Sequence, residues 1–449
     1  LYVRAAVGEF SAMAFLPLIL YALWAAFTLP TDAPGYKKLW IPGVIGYSGL
    51  ILTHILTCGM AALFTILVCL VCIRKVFCKE TFAVLAKIVI YTTLVCLWFL
   101  VPFADYMLTD QLIVTVDTHS IFSTIGQSAF PLQILSFFAP ATGLGLELKE
   151  GVQNDMGFTL GGALLLAGLV LPLLCLQPGF KAERKTKAAG LCLGFGVLCM
   201  WMSTTAFPWF ELSRVLPPID KFVSTMQFPW RFMSVAGLFV TVGAVAGLAL
   251  LRRKNSGAFV AVVSVIGAVA VFTCGYYFHD LYESDSSYVV YEMSDLMSNA
   301  KNEPYAKLTY QIGGAEYLPA GMDLDETWLM TNLQYDADSV TVTDYVKTGV
   351  TARFTAENHT ETEQSMILPL VGYRDYRASA NGQALPLTRA ENGQLLLTLP
   401  AGFTGSVCVS FTEPLFWRGA EAVSALSLAG LCAAGLVRRM RRQKAAVSV

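Results

Sequence analysis

The stretch Ile41–Ile73 reads IPGVIGYSGLILTHILTCGMAALFTILVCLVCI, without one Asp, Glu, Lys or Arg. As a single helix it would be about 50 Å long at about 1.5 Å per residue. The hydrocarbon core of a bilayer is only about 30 Å thick. The run is therefore read as two short helices that meet between His54 and Gly59. This choice fixes the charge pattern. Lys37–Lys38 precede the run and Arg74–Lys79 follow it. The split puts both basic clusters on one side of a membrane; one long helix would separate them.

Working outward, basic clusters recur at Lys181–Lys187, Arg252–Lys254 and Arg438–Lys444. About nine spans bring all five clusters to the same face, which the positive-inside rule makes cytoplasmic. They are Phe10–Leu29, the two halves of Ile41–Ile73, Thr81–Phe103, Gly157–Leu176, Ala188–Phe207, Phe232–Leu251, Gly257–Tyr277 and Phe416–Val437. Lys87, two turns into its span, snorkels to that face. The fold class is a polytopic α-helical membrane protein with an extracytoplasmic antiparallel β-sandwich before the last span.

Composition agrees. The 449 residues are 55% hydrophobic and 14% charged, with mean hydropathy +0.57. A soluble domain does not carry that balance. The formal net charge of −1 hides a partition. Asp280–Leu415 holds 19 acidic and 7 basic residues, whereas the rest holds 13 acidic and 24 basic. Residues 1–278 form a multi-span domain with outer-face loops 104–156 and 208–231. Residues 279–415 form a β-rich outer domain, 416–437 the final span and 438–449 a cytoplasmic basic tail. The basic excess follows orientation and is no nucleic-acid footprint.

Of the 11 cysteines only Cys408 lies in the acidic segment, so the others read as small buried hydrophobes. Cys69 and Cys72 form a lone C-x-x-C without a second pair or a nearby His, which argues against a metal site. The chain begins at Leu1 with no signal-peptide pattern and is read as an N-terminally truncated reading frame.

In loop 104–156, Asp105, Asp110, Asp117, Glu147, Glu150 and Asp155 surround an apolar stretch, Ile121–Ala139, that lies against the membrane. Loop 208–231 is amphipathic, with Trp209 and Trp230 suited to the interfacial belt. Beyond about Ser287 the period changes to two. Ser339–Tyr345, Val350–Thr355, Met366–Val371, Leu395–Leu399 and Ser406–Phe411 read as strands. Asn381–Gly382 and Asn392–Gly393 read as hairpin turns. The sandwich carries no defensible catalytic spacing and reads as a binding or lid module.

Three stretches go beyond composition: LYVRAAVGEFSAMAFLPLILYAL (Leu1–Leu23), QFPWRFMS (Gln227–Ser234), and the C-terminal pattern GYRDYRASANGQALPL…NGQLLLTLPAGFTGSVCVSF (Gly372–Phe411) before a last span and basic tail. Together they resemble the bacterial YfhO-like membrane proteins, including those labelled 6-pyruvoyl-tetrahydropterin synthase-related, over nearly the whole chain. A pterin synthase needs clustered zinc-binding histidines. Here His54, His119, His279 and His359 lie far apart, so no zinc or pterin site is expected.

The resemblance implies a GT-C-type glycosyltransferase architecture in the bacterial cell membrane. Its site faces outward, and its donor is a polyprenyl-phosphate-linked sugar. It also implies a carboxylate base or divalent-metal ligand on the first outer loop, upstream of Leu1. Within the chain, Arg4 is expected to bind the donor phosphate, because a guanidinium grips phosphate bidentately. Glu9 would orient Arg4 or act as base on the acceptor. Arg231, with Gln227 and Trp230 beside it, starts a span at the outer face and suits a lipid phosphate; Lys221 and Arg214 would join that patch. His54 at the turn is a candidate for phosphate or acceptor, Asp105 at the end of a span is a catalytic candidate that could bind a metal or a sugar, and Glu316–Tyr317 is a candidate edge of the acceptor site. Each has a structural alternative: an Arg–Glu pair, headgroup anchoring, a core histidine, a solvated helix end. The acceptor would be a cell-envelope glycan or lipid. The rival classes are a lipid-linked sugar flippase, which would show internal repeats and mid-membrane polar groups, and a non-catalytic polymer-binding protein.

Overall fold

The computed structural model describes residues 7–116, 126, 128–135, 158–181, 183–226, 228–283, 317–322 and 332–447. The chain folds as two compact units: Leu1–Cys96 with His119–Ser287, and Leu97–Thr118 with Tyr288–Val449.

The first unit is helical. Its elements are α1 (Val7–Met13), α2 (Leu16–Thr28), α3 (Trp40–Thr53), α4 (Ile55–Val71), the first part of α5 (Lys79–Thr109), α6 (Gly162–Cys175), α7 (Arg184–Met202), α8 (Trp209–Val215), α9 (Pro217–Met226), α10 (Phe232–Lys254) and α11 (Ser256–Glu283). The long apolar run does break at His54. His54 leaves the helix with φ −157° and ψ 99° and caps α4 by accepting the Thr57 N–H at 3.3 Å. The Tyr47 hydroxyl on α3 bonds the Ala61 carbonyl at 3.4 Å and also Thr65 on α4, so the two helices fold back as a hairpin.

Among the described residues, five helical segments are long and apolar enough to cross a membrane: Val7–Thr28, Lys79–Thr109, Pro229–Lys254, Ser256–Tyr276 and Leu415–Val437. Ile55–Val71 and Gly162–Cys175 are apolar but shorter, below the roughly 20 residues of a straight crossing. α11 leaves Val260, Val265, Val271 and Phe272 more than half exposed. Such an apolar face is tolerable where the solvent is lipid.

Close approach by small residues joins these helices. A Cβ on Gly46 of α3 would meet Ile19 Cγ1 at 2.6 Å, and one on Gly247 of α10 would meet the Leu171 backbone nitrogen at 2.6 Å. Glycine is the residue that lets helix backbones come so near. An aromatic core of Phe64, Phe195, Phe232 and Phe239 fills the centre.

The basic clusters of this unit converge. Lys75 Nζ donates to the Leu29 carbonyl at 2.6 Å, and Arg184 donates to the Phe27 carbonyl at 2.9 Å. Lys254 Nζ donates to Gln177 Oε1 at 3.1 Å. The ends of α2, α4, α6 and α10 and the start of α7 therefore share one basic end.

The second unit holds the end of α5, eight strands and α12 (Leu415–Val447). The strands are β1 (Val340–Thr348), β2 (Thr351–Asn358), β3 (Gln364–Val371), β4 (Tyr376–Ala380), β5 (Gln383–Leu385), β6 (Leu387–Arg389), β7 (Gln394–Leu399) and β8 (Thr404–Phe411). They make a five-stranded sheet in the order β1-β2-β8-β4-β5 and a three-stranded sheet in the order β3-β7-β6, with every pairing antiparallel. Alternating inward residues, such as Ala352, Phe354 and Ala356 on β2 and Leu395, Leu397 and Leu399 on β7, form one core. Asn381 (φ +50°) and Gly382 (φ +80°) turn β4 into β5, as the type I′ signal requires. Gly393 (φ +82°) closes the β6–β7 loop. The sequence division at 278/279 did not group Leu97–Thr118 with the strands. Ion pairs from Asp105 and Asp110, and the bond from Trp98 N to Ser424 Oγ at 3.0 Å, account for the grouping.

Candidate functional site

In the first unit, three separated stretches meet. Glu9, on the short helix α1, is buried. Its Oε1 accepts from Ser234 Oγ at 3.1 Å, and its Oε2 lies 3.9 Å from Arg231 Nε. Arg231 is buried too and stands where Pro229–Arg231 turns into α10. Pro229 supplies a fixed φ for that first turn and disfavours helix at Phe228, which is extended at φ −138° and ψ 113°. The Arg231 guanidinium donates to the Met226 carbonyl at 2.7 Å and lies 4.9 Å from the Phe228 ring centroid. Phe228 in turn stacks on Trp230 at 5.1 Å. A buried carboxylate and guanidinium at the mouth of an apolar bundle are costly unless paired, and such pairs mark functional sites by default.

His54 belongs to the same neighbourhood. Gly8 packs so closely on the α3–α4 junction that a Cβ there would meet the Thr53 carbonyl at 2.8 Å and His54 Cδ2 at 3.7 Å. The His54 ring is held by Thr57, whose hydroxyl lies 2.7 Å from Nδ1. The fold thus brings together Glu9, Arg231, Trp230 and His54 from the expected set. Sequence reasoning missed Ser234, although it closes the quoted QFPWRFMS motif, and it missed Gly8, which carries no side chain to notice. Arg4, Gln227 and Glu316 lie outside the described residues. Lys221 lies on α9, and Arg214 stacks its guanidinium on Phe210 at 4.2 Å.

The other two candidates belong to the second unit. Asp105 Oδ2 accepts from Trp417 Nε1 at 3.0 Å and pairs with Arg374. Arg374 also pairs with Asp375 at 3.4 Å and lies 5.0 Å from the Tyr106 ring centroid. Arg389 grips both oxygens of Asp110, at 3.1 and 3.2 Å. These carboxylates fasten the helix end to the sandwich. Burial lowers the Arg374 pKa, but the carboxylates of Asp105 and Asp375 outweigh it and hold the group above its ordinary value. Tyr317 is half-exposed, and its carbonyl accepts from Tyr373 at 3.1 Å. It lines an aromatic cavity of about 530 Å³ with Trp98, Phe103, Tyr106, Tyr376 and Trp417.

Among the described residues, no group of three His, Cys, Asp or Glu side chains is placed to hold a metal ion. The described cysteines are all free. The chain matches no protein-family model, no curated protein and no solved structure.

Proposed function

We propose that the chain is a GT-C-like membrane glycosyltransferase, one that moves a sugar from a polyprenyl-phosphate donor to a cell-envelope acceptor. The observation that supports it is the buried Glu9–Arg231–Ser234 constellation, which joins two of the three stretches that resemble YfhO-like proteins. Nine crossings, a bacterial membrane, an outward-facing sandwich and an inward-facing C-terminus belong to the same proposal. They rest on the charge pattern and on the convergence of the basic clusters.

In this reading the donor phosphate displaces Glu9 from Arg231, because a phosphate meets a guanidinium more fully than a carboxylate oxygen 3.9 Å away. The released carboxylate, still bonded to Ser234, takes the proton of the acceptor hydroxyl. The acceptor oxygen forms a bond to the anomeric carbon as the anomeric carbon–phosphate oxygen bond breaks. The bond pair leaves with the polyprenyl phosphate, whose added charge Arg231 balances. Asp105 does not take part in this step; its partners make it a fastening residue.

The test is transfer from a polyprenyl-phosphate sugar by the full-length protein in proteoliposomes. Glu9→Gln should lower turnover by about 10²-fold or more, as expected for a lost general base, with donor binding retained. Arg4→Ala and Arg231→Ala should abolish transfer, while Arg231→Lys retains part of the donor binding. Full turnover in all four inserted variants would remove the assignment. Movement of unchanged donor across the vesicle membrane would favour a flippase instead.

A further inference from the structure

A second feature of the helical unit lies at its opposite, basic end. An apolar groove of about 480 Å³ runs between α2, α4, α7 and α10. Its walls include Leu20, Trp24, Val68, Leu191, Phe195 and Leu238. Its mouth is formed by Arg74, Lys75, Arg184 and Lys187, and among the described residues no acidic side chain lines it. The mouth is open: Arg74, Arg184 and Lys187 are exposed, as are Val71, Ile73 and Leu191 on its rim.

The cations are positioned rather than merely present. The helix carbonyls of Leu29 and Phe27 orient Lys75 and Arg184 at 2.6 and 2.9 Å. Burial and the neighbouring Arg184 hold the Lys75 ammonium below its ordinary value, as expected of a buried cation beside a like charge. Long apolar walls under a cationic rim match one ligand type, an anion with an attached hydrocarbon chain. Basic pockets between transmembrane helices recognise lipid head groups in this way.

We infer that this groove binds an anionic phospholipid of the bilayer leaflet at the basic end, with its phosphate among Arg74, Lys75, Arg184 and Lys187 and one acyl chain along Leu20, Val68 and Leu191. The inference does not rest on the transfer reaction proposed above, whose residues are others.

The experiment uses the full chain in phosphatidylcholine nanodiscs, titrated with spin-labelled phosphatidylglycerol or spin-labelled phosphatidylcholine. Wild type should prefer phosphatidylglycerol by about tenfold or more, since cations gathered near a membrane surface favour anionic lipid. The double variant Lys75→Gln/Arg184→Gln should lose most of the preference. Leu191→Trp, which fills the groove and keeps every charge, should weaken binding of the labelled chain. Both changes lie at exposed or half-buried positions, so the fold should survive, and circular dichroism checks it. Equal affinity for the two lipids in wild type would overturn the inference. So would a preference that both variants retain, which would assign the effect to diffuse surface charge. Displacement by inorganic phosphate at equal concentration would reduce the site to a phosphate site. Tighter binding of polyprenyl phosphate would overturn the choice of phospholipid.

Discussion

At the scale of single residues, Glu9 and Arg231 carry most of the argument, and their energetics are testable without any substrate. Breaking a buried ion pair leaves the surviving charge without compensation, at a cost of about 3–5 kcal/mol. Glu9→Gln should therefore lower the unfolding midpoint of the detergent-solubilised protein markedly. The double variant Glu9→Gln/Arg231→Met removes the orphaned charge and should recover a large part of that loss. A double-mutant cycle with no coupling would mean that the pair, at 3.9 Å, does not interact. In the sandwich, Asp336 gives a pH prediction. The Ser339 hydroxyl at 2.6 Å and the Asp338 N–H at 3.1 Å lower its pKa below the ordinary aspartate value. A carboxylate with a depressed folded pKa stabilises the fold fully above its unfolded pKa, and the contribution is lost as pH falls through the folded value. The Asp336 carboxyl resonance should titrate below that of an unperturbed aspartate. Ser339→Ala should move it up, and an unchanged midpoint would dismiss the hydroxyl as the cause.

At the scale of elements, the helix packing makes an opposed pair of predictions. Gly247→Ala on α10 would drive a Cβ to 2.6 Å from the Leu171 nitrogen, which is backbone and cannot rotate away. Overpacking of this kind costs about 1–3 kcal/mol. Gly267→Ala on α11 meets nothing within 4 Å. It should be neutral or add up to about 1 kcal/mol through helix propensity. A similar thermal shift in both variants would refute the α6–α10 packing. The same scale explains what was legible beforehand. Charge-free length required the break at His54, and period-two alternation marked β1, β2, β3, β7 and β8, because those segments are long enough for the alternation to show. β4, β5 and β6 are five, three and three residues long. Tyr376–Ala380 alternates only weakly, so β4 and β5 are paired through the Asn381–Gly382 turn and β8, and β6 through β7, not by local pattern. The Asp344 bulge, at φ +52°, gave no sequence signal at all. In the candidate site, Glu9 and Arg231 were legible because a charge beside an apolar run demands a reason. Their contact was not, since 222 residues separate them and only the close packing of Gly8 and Ser234 brings the stretches together. Asp105 was legible as a carboxylate at a helix end. Its partners, Arg374 and Trp417, lie far along the chain, and so its fastening role was hidden.

At the scale of the whole molecule, the partition of charge makes the remaining prediction. Three basic clusters sit at one end of the helical unit, and the acidic excess lies in the segment that carries the sandwich. A bilayer turns such a pattern into sidedness, because Lys and Arg flanking short loops are retained in the cytoplasm whereas acidic domains cross freely. Native cysteines make the test direct. Cys78 is exposed beside Lys75 and Lys79 at the basic end. In a chain whose other cysteines are replaced, an impermeant maleimide should label Cys78 in inverted vesicles and leave it unlabelled in intact cells. In a cysteine-free background, Glu391→Cys, at an exposed turn between β6 and β7, should show the reverse. Labelling of both positions from one side would contradict the proposed threading and place the sandwich with the basic end. It would then also remove the outward-facing site on which transfer from a lipid-linked sugar depends, while leaving the Glu9–Arg231 pair and the lipid groove to be judged by their own tests.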